Sequence, residues 1–233
     1  MTTLFLIPSL LSDDNTANIP AEVVDAISKC SAVYAENIRT ARRFFKAVCP
    51  SVIIDNIQWF EILKAEDDLL DAFPGIMKKN EFVGVVSEAG CPAIADPGYK
   101  LVALAHQLDD VKIVPLSGPS SIMMALMASG LGGNQFAFHG YLPIEAGQRK
   151  AGIQKIWKRA TEDLATQLFM ETPYRNNALF NTLIEVLPLT AKLGIACNIS
   201  AKQEFIKTKT VKDWKSSPLP DLHKQPCIFS LGV

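Results

Sequence analysis

Along the first half of the chain, apolar runs of strand length alternate with segments of helical period, and this alternation limits the fold more than any other sequence feature. Residues 4–7, 32–35, 52–54, 82–86 and 112–115 read as strands, most of them so continuously apolar that they suit a sheet covered on both faces. Residues 20–29, 38–47, 59–73 and 98–107 carry helix formers at helical spacing, and Pro20 suits a first turn, where its missing N–H costs nothing. The pattern predicts βαβ units and a mostly parallel sheet.

After Ser117 the character changes. A helix over 120–129 ends at Gly130, and strands over 135–140, 166–171 and 192–198 follow with helices between them. The last stretch reads as two strands, 204–211 and 226–231, across the Pro-rich loop Ser216-Ser217-Pro218-Leu219-Pro220, and strands without an intervening helix predict antiparallel pairing. The expected organisation is an N-terminal α/β domain over 1–116 and a C-terminal α+β domain over 117–233. No internal repeat is visible.

Composition bounds the function classes. Of 233 residues, 48% are hydrophobic and 20% charged, which excludes a disordered or coiled-coil chain, and this length suffices for a core without disulfides or metals. Lys and Arg number 23 against 24 acids, net −1, so bulk positive charge cannot be the means of gripping nucleic acid. Two local stretches lean basic: Arg39, Arg42, Arg43 and Lys46, then Arg149, Lys150, Lys155, Lys158 and Arg159. The acidic run 61–71 reads as a solvated helix face. Cys30, Cys49, Cys91, Cys197 and Cys227 are odd in number and form no C-x-x-C pair, so neither a disulfide framework nor a metal signature is expected, and the reading is cytoplasmic. The start lacks a basic n-region, and no run approaches the roughly 20 apolar residues of a membrane span.

Three segments carry chemistry. In V-G-V-V-S-E-A-G-C-P-A-I-A-D-P-G, residues 83–98, a buried strand opens into a loop of small residues before a helix, where strand ends of α/β sheets bind ligands. It has neither the G-x-G-x-x-G order of a dinucleotide fingerprint nor the G-K-[ST] of a P-loop. In P-L-S-G-P-S-S, residues 115–121, hydroxyls and helix N-terminal N–H groups either hold an anion or merely cap the helix. In F-M-E-T-P-Y-R, residues 169–175, Glu171 and Arg175 either line a site or pair with each other. His139 at a strand end reads as a structural histidine, and Cys91, with no His partner identifiable, as a small residue packed beside a ligand.

In this order, the three segments resemble the tetrapyrrole methylase superfamily of S-adenosylmethionine-dependent enzymes, most closely its ribosomal RNA small-subunit methyltransferase I branch, with strings like S-D-A-G-T-P-x-I-S-D-P-G, P-G-P-S-A and E-S-P-H-R. Gly130-Leu131 with 136–143 is similar to that branch's S-G-L and F-x-F-x-G-F-L-P, and Ala35-Glu36-Asn37-Ile38-Arg39 to its A-E-D-T-R. The departures are specific. The first loop P-I-G-N-L-x-D stands here as Pro8-Ser9-Leu10-Leu11-Ser12-Asp13 without its glycine, and A-R-E-L-T-K as Ala196-Cys197-Asn198-Ile199-Ser200-Ala201 without Arg and Glu.

The resemblance implies two α/β domains, the first with a mostly parallel and the second with a mixed sheet, and S-adenosylmethionine in a cleft between them. It implies cofactor contacts at Pro8, Ser87, Glu88, Ala89, Gly90, Cys91, Ile94, Ser120, Ser121, Met170 and Asn198, with no metal. If the acceptor is a ribose 2′-hydroxyl, Glu36, Glu171 or a lysine takes its proton, and the sequence does not select among them. Further implications are a ribosomal RNA or small-subunit partner, no membrane and a homodimer. The alternatives are a methylase of a tetrapyrrole or other small molecule, and a non-catalytic cofactor-binding protein.

Overall fold

The computed structural model describes residues 1–12, 15–62 and 66–233, and the chain divides into two compact units, Met1–Ser120 and Ser121–Val233. The division falls four residues beyond the expected 116/117 boundary, because residues 117–120 stay with the first unit.

The first unit holds β1 (Thr2–Ile7), α1 (Ala21–Lys29), β2 (Ala32–Ala35), α2 (Ile38–Val48), β3 (Gln58–Glu61), α3 (Glu66–Lys79), β4 (Phe82–Val86), α4 (Tyr99–Ala105) and β5 (Val111–Pro115). The five strands form one sheet in the order β3-β2-β4-β1-β5, every pair parallel. Alternate side chains divide between its faces. Ile7, Val33, Ala35 and Val86 pack with Val23 and Ile27 of α1 and Phe44 and Phe45 of α2. Leu4, Ala32, Tyr34, Val83 and Val85 pack on the other face with Phe73 and Met77 of α3 and Leu101 of α4. Fully burying one such side chain is worth roughly 1.5–3 kcal/mol, which is why the strands are apolar on both faces. The chain runs from β1 outward to β3, then crosses back to β4 and β5, and this reversal opens a crevice at the carboxyl ends of β1 and β4.

Two expectations fail here. No strand forms over 52–54; Val52 and Ile54 are buried in the α2-side core, a 3-10 turn follows at Ile54–Asn56, and the strand is β3. The helix expected over 59–73 does not cover 59–61; it is described over Glu66–Lys79 and runs through Pro74, since Phe73 and Met77, one turn apart and both buried, hold its two halves to the sheet. Residues 63–65 of that expected helix, and Asp13 of the first loop, lie outside the described residues. Within the acidic run, Asp67, Asp68 and Asp71 are exposed.

The second unit holds α5 (Ser121–Ser129), β6 (Phe136–Tyr141), α6 (Ala146–Glu162), β7 (Thr166–Met170), α7 (Asn176–Val186), β8 (Lys192–Cys197), β9 (Phe205–Thr210), α8 (Val211–Lys215) and β10 (Cys227–Gly232). Its sheet order is β6-β7-β10-β8-β9, with β6 and β7 parallel and the other pairs antiparallel. Phe169, Leu193, Ile195, Phe229 and Leu231 form a core with Ile153 and Ile156 of α6 and Leu179, Phe180 and Leu183 of α7. The expected pairing of the last two strands does not occur. The final strand inserts between β7 and β8, β9 takes the other side of β8, and α8 intervenes, anchored by buried Trp214, whose Nε1 donates to the Leu193 carbonyl at 2.8 Å. Among the described residues no helix is long and apolar enough to cross a membrane.

Candidate functional site

The crevice of the first unit gathers most of the residues singled out from the sequence. Beyond β1, Pro8 and Ser9 are buried; beyond β4, Ser87 is buried while Glu88 and Ala89 are exposed. The two loops are joined by a bridge in which the Ser9 amide donates to the Gly90 carbonyl at 2.9 Å and the Gly90 amide to the Ser9 carbonyl at 3.3 Å. Gly90 sits at φ +76°, a left-handed conformation that glycine adopts without strain. The Ser87 hydroxyl donates to the Gly90 carbonyl at 3.1 Å and closes the turn. Beyond β5, Gly118 lies so near Pro8 that a Cβ there would stand 2.2 Å from the Pro8 Cγ. Pro119 is reached from the other loop by the Cys91 thiol, which donates to its carbonyl at 3.5 Å, and Ser120 Cα lies 3.9 Å from where a Cβ on Gly90 would be. Three loops separated widely in sequence thus form one crest. The Ser9 hydroxyl is buried there with no partner among the described residues, a donor that fits a bound polar ligand.

Three carboxylates meet on the same crest. Glu36, just beyond β2, accepts from the Glu88 amide at 2.9 Å, and the Thr40 hydroxyl donates to the Glu88 carboxylate at 3.4 Å. Asp96 accepts from the Gly98 amide at 2.7 Å and organises a loop in which Ala93 and Ala95 adopt φ +65° and +63°, sparsely populated for residues with a Cβ. Burial pushes the Glu36 carboxyl above its ordinary range, against the Glu88 amide that lowers it, and the charges of Asp96 and Glu88 add to the rise. Burial likewise raises Asp96. A cavity of about 480 Å³ opens beside Glu88, lined also by Ser9, Leu10, Thr40, Arg43, Phe44, Ala47 and Ala89. Ile94 is exposed on the loop beyond Cys91. Asp96 and Thr40 were not singled out from the sequence. Asp96 stands inside the quoted motif, whereas nothing in the local sequence marks Thr40.

In the second unit Ser121 opens α5, Met170 ends β7 and Asn198 follows β8 in a left-handed turn, φ +52°. Of the two open readings of Glu171, the structure takes the pairing one. Its side chain is buried, bonded to Arg175 Nη2 at 2.6 Å and to the Thr172 amide at 2.6 Å. Although burial works to raise it, Arg175 and Thr172 hold this carboxyl below its usual range. His139 shares a 2.7 Å hydrogen bond with Gln167, in keeping with a structural role.

The two basic stretches differ in setting. Arg39, Arg42, Arg43 and Lys46 fall at i, i+3, i+4 and i+7 of α2, all exposed on one face, and the helix carries no acid. Asn37 caps it, accepting from the Arg39 and Thr40 amides. Arg39 and Arg42 line a cavity of about 670 Å³ with Asn37, Ile38 and Glu61, and Arg43 lines the one beside Glu88. Acids offset part of both stretches: Arg42 pairs with Asp55 at 2.7 Å, and on α6 Lys150 pairs with Glu185 and Lys158 with Glu162. Among the described residues, no group of three or more His, Cys, Asp or Glu is placed to hold a metal.

Residues 13–214 match the family described as tetrapyrrole (corrin/porphyrin) methylases. The chain is 28% identical to the ribosomal RNA small subunit methyltransferase I of Buchnera aphidicola subsp. Schizaphis graminum over 91% of this chain and 71% of that one. It is 29% identical to the enzyme of that name from Mesorhizobium japonicum over 85% and 64%, and 30% identical to that from Micromonospora olivasterospora over 79% and 56%. The chain therefore spans between about half and about seven tenths of these relatives' lengths. In fold it is similar to the methyltransferase CobJ, with a TM-score of 0.64 at 14% identity over 100% of this chain and 94% of that one. It is also similar to a uroporphyrin-III C-methyltransferase from Thermus thermophilus complexed with S-adenosyl homocysteine, with a TM-score of 0.55 at 12% identity over 100% and 97%.

Proposed function

The chain belongs to the tetrapyrrole methylases, and on that premise we propose that it is a methyltransferase that uses S-adenosylmethionine to methylate a ribose 2′-hydroxyl of small-subunit ribosomal RNA. The observation that carries the cofactor is the crest of the first unit, where the Ser9–Gly90 bridge, the close approach of Gly118 to Pro8 and the partnerless Ser9 hydroxyl converge. The names shared by the relatives support the RNA acceptor.

When bound, the cofactor supplies a methyl group on a positively charged sulfur, so the protein has mainly to bind, align and exclude water. Pro8, Ser87, Ala89, Gly90, Cys91 and Ser120 form the backbone wall of that site, and Ile94 offers apolar contact. Glu88, exposed at the wall's edge, accepts hydrogen bonds from the cofactor's polar groups. Glu36 would take the proton of the attacking hydroxyl. Its raised pKa brings it closer to neutral pH, where a base acts best. Of the two basic stretches, α2 is the one that meets the phosphates, since it lies beside Glu36 and Glu88. The active form is a homodimer, the commonest symmetric assembly, and light scattering at micromolar protein reads it as a mass of two chains.

Titration calorimetry on chelator-treated protein tests the cofactor. Saturable binding of S-adenosylmethionine is expected, and Glu88→Ala weakens it by about 1–3 kcal/mol, the range for leaving polar partners unpaired. No binding at millimolar cofactor overturns the reading.

A further inference from the structure

Cys197 ends β8, Cys227 opens β10, and the two face each other in the antiparallel register. The Asn198 amide donates to the Pro226 carbonyl at 3.0 Å, so the ladder bond lies just outside the pair and not between its members. That marks a non-hydrogen-bonded pair, the closely spaced type with Cα atoms about 4.5 Å apart, within the roughly 4.4–6.8 Å that disulfides span. Both side chains lie in the same buried cluster, and both are free thiols. The proximity of the pair draws Cys197 below the ordinary thiol range and pushes Cys227 up, burial adding to the rise of Cys227. The register places Cys227 to resolve a sulfenic acid formed on Cys197. Half-buried Cys91 is raised by burial.

The pair is tied to Asn198 through Gln225. Cys197 Sγ donates to Gln225 Oε1 at 3.4 Å, the same oxygen that accepts from Asn198 Nδ2 at 2.5 Å, and Cys227 Sγ donates to the Gln225 carbonyl at 3.5 Å. Two of the bonds that fix Gln225 thus need thiol hydrogens.

We propose that Cys197 and Cys227 are a reversible oxidation site, closed by a hydroperoxide into a cross-strand disulfide that loosens the Gln225–Asn198 turn. The Cys197 thiolate attacks one peroxide oxygen, the O–O bond breaks, and the departing hydroxide takes a proton to leave as water, giving a sulfenic acid. The Cys227 sulfur then attacks the Cys197 sulfur, the S–O bond breaks, and the oxygen leaves as water with the Cys227 proton. Two thiols are oxidised and one hydrogen peroxide is reduced to two waters. A dithiol returns the pair to the reduced form by exchange. Both thiols are buried, so an oxidant the size of two waters reaches them by local opening at the sheet end where they stand.

The full chain is treated with hydrogen peroxide, unfolded, alkylated and mapped by mass spectrometry, with and without dithiothreitol. The expected product is a peptide pair joined through Cys197 and Cys227 and released by dithiothreitol, with Cys30, Cys49 and Cys91 still alkylated. In Cys227→Ser, dimedone is expected to trap a sulfenic acid on Cys197. Hydrogen exchange over 198–204 is expected to quicken in the oxidised wild type and not in Cys227→Ser. Oxidation of Cys91 in preference to the pair, or no dimedone adduct in Cys227→Ser, overturns the proposal. A disulfide without faster exchange overturns its link to Asn198. None of these readouts uses cofactor or RNA, so they stand apart from the methyltransferase reading.

Discussion

Gly118→Ala tests whether the crest is built by close backbone approach. The added methyl would stand 2.2 Å from Pro8 Cγ and 2.4 Å from its Cβ, well inside van der Waals contact. Pro8 cannot swing aside as a flexible side-chain tip does, because its ring is part of the backbone and Ser9 is bridged to Gly90. One of the two loops must move, and overpacking of this kind costs about 1–3 kcal/mol. Since the displaced atoms are the proposed cofactor wall, about 1.4 kcal/mol lost from binding alone lowers affinity tenfold. Urea denaturation and titration calorimetry on the same preparation read both effects. Gly75→Ala is the control, an exposed position inside α3 with nothing within 4 Å of the new methyl, where alanine is expected to stabilise by about 0.5–1 kcal/mol. A Gly118→Ala protein with wild-type denaturation midpoint and wild-type affinity would show that the two loops do not depend on this close approach.

Arg175→Met leaves the buried Glu171 carboxylate without its partner and is expected to lower the urea midpoint at pH 7. Because the folded Glu171 pKa is depressed, the wild-type advantage is present above the unfolded carboxyl value of about 4.3 and is lost as pH falls through the folded one; a deficit independent of pH contradicts this. Glu36 is the opposite case. Its raised folded pKa makes the wild type lose stability as pH rises from the unfolded value through the folded one, so Glu36→Gln is expected to gain on the wild type at pH 8 relative to pH 4 while losing methyl transfer. Reversing Arg39, Arg42, Arg43 and Lys46 to glutamate is expected to abolish RNA binding in filter assays and flatten its salt dependence, whereas reversing Arg149, Lys150, Lys155, Lys158 and Arg159 leaves most of it. The converse result moves the RNA contact to α6.

The strands legible in the sequence are those whose burial on both faces leaves no polar residue to confuse the pattern; β2 and β4 lie where expected to the residue. The edge strand β3, Gln58-Trp59-Phe60-Glu61, shares its polar residues with solvent, and the acids after it carry a helical period that absorbed it into α3. The place of β10 was not legible, because insertion between β7 and β8 is decided by contacts with Phe169 and Ile195 far along the chain. The site divides in the same way. The small-residue loop after β4 announced itself by composition, while the Glu36–Glu88 and Ser9–Gly90 bonds span more than fifty residues and leave no local trace. Glu171 and Arg175 were visible as a pair at helical spacing, yet only the structure shows that the carboxylate of their ion pair is buried.

Methyl transfer to ribosomal RNA is measured by incubating the protein with S-adenosylmethionine labelled in its methyl group and small ribosomal subunits lacking the modification, beside a small-molecule extract. Label is expected in the RNA, retained on a ribose 2′-oxygen after nuclease digestion and absent with Glu36→Gln. Label only in small molecules contradicts the RNA acceptor, and label in neither contradicts the enzyme.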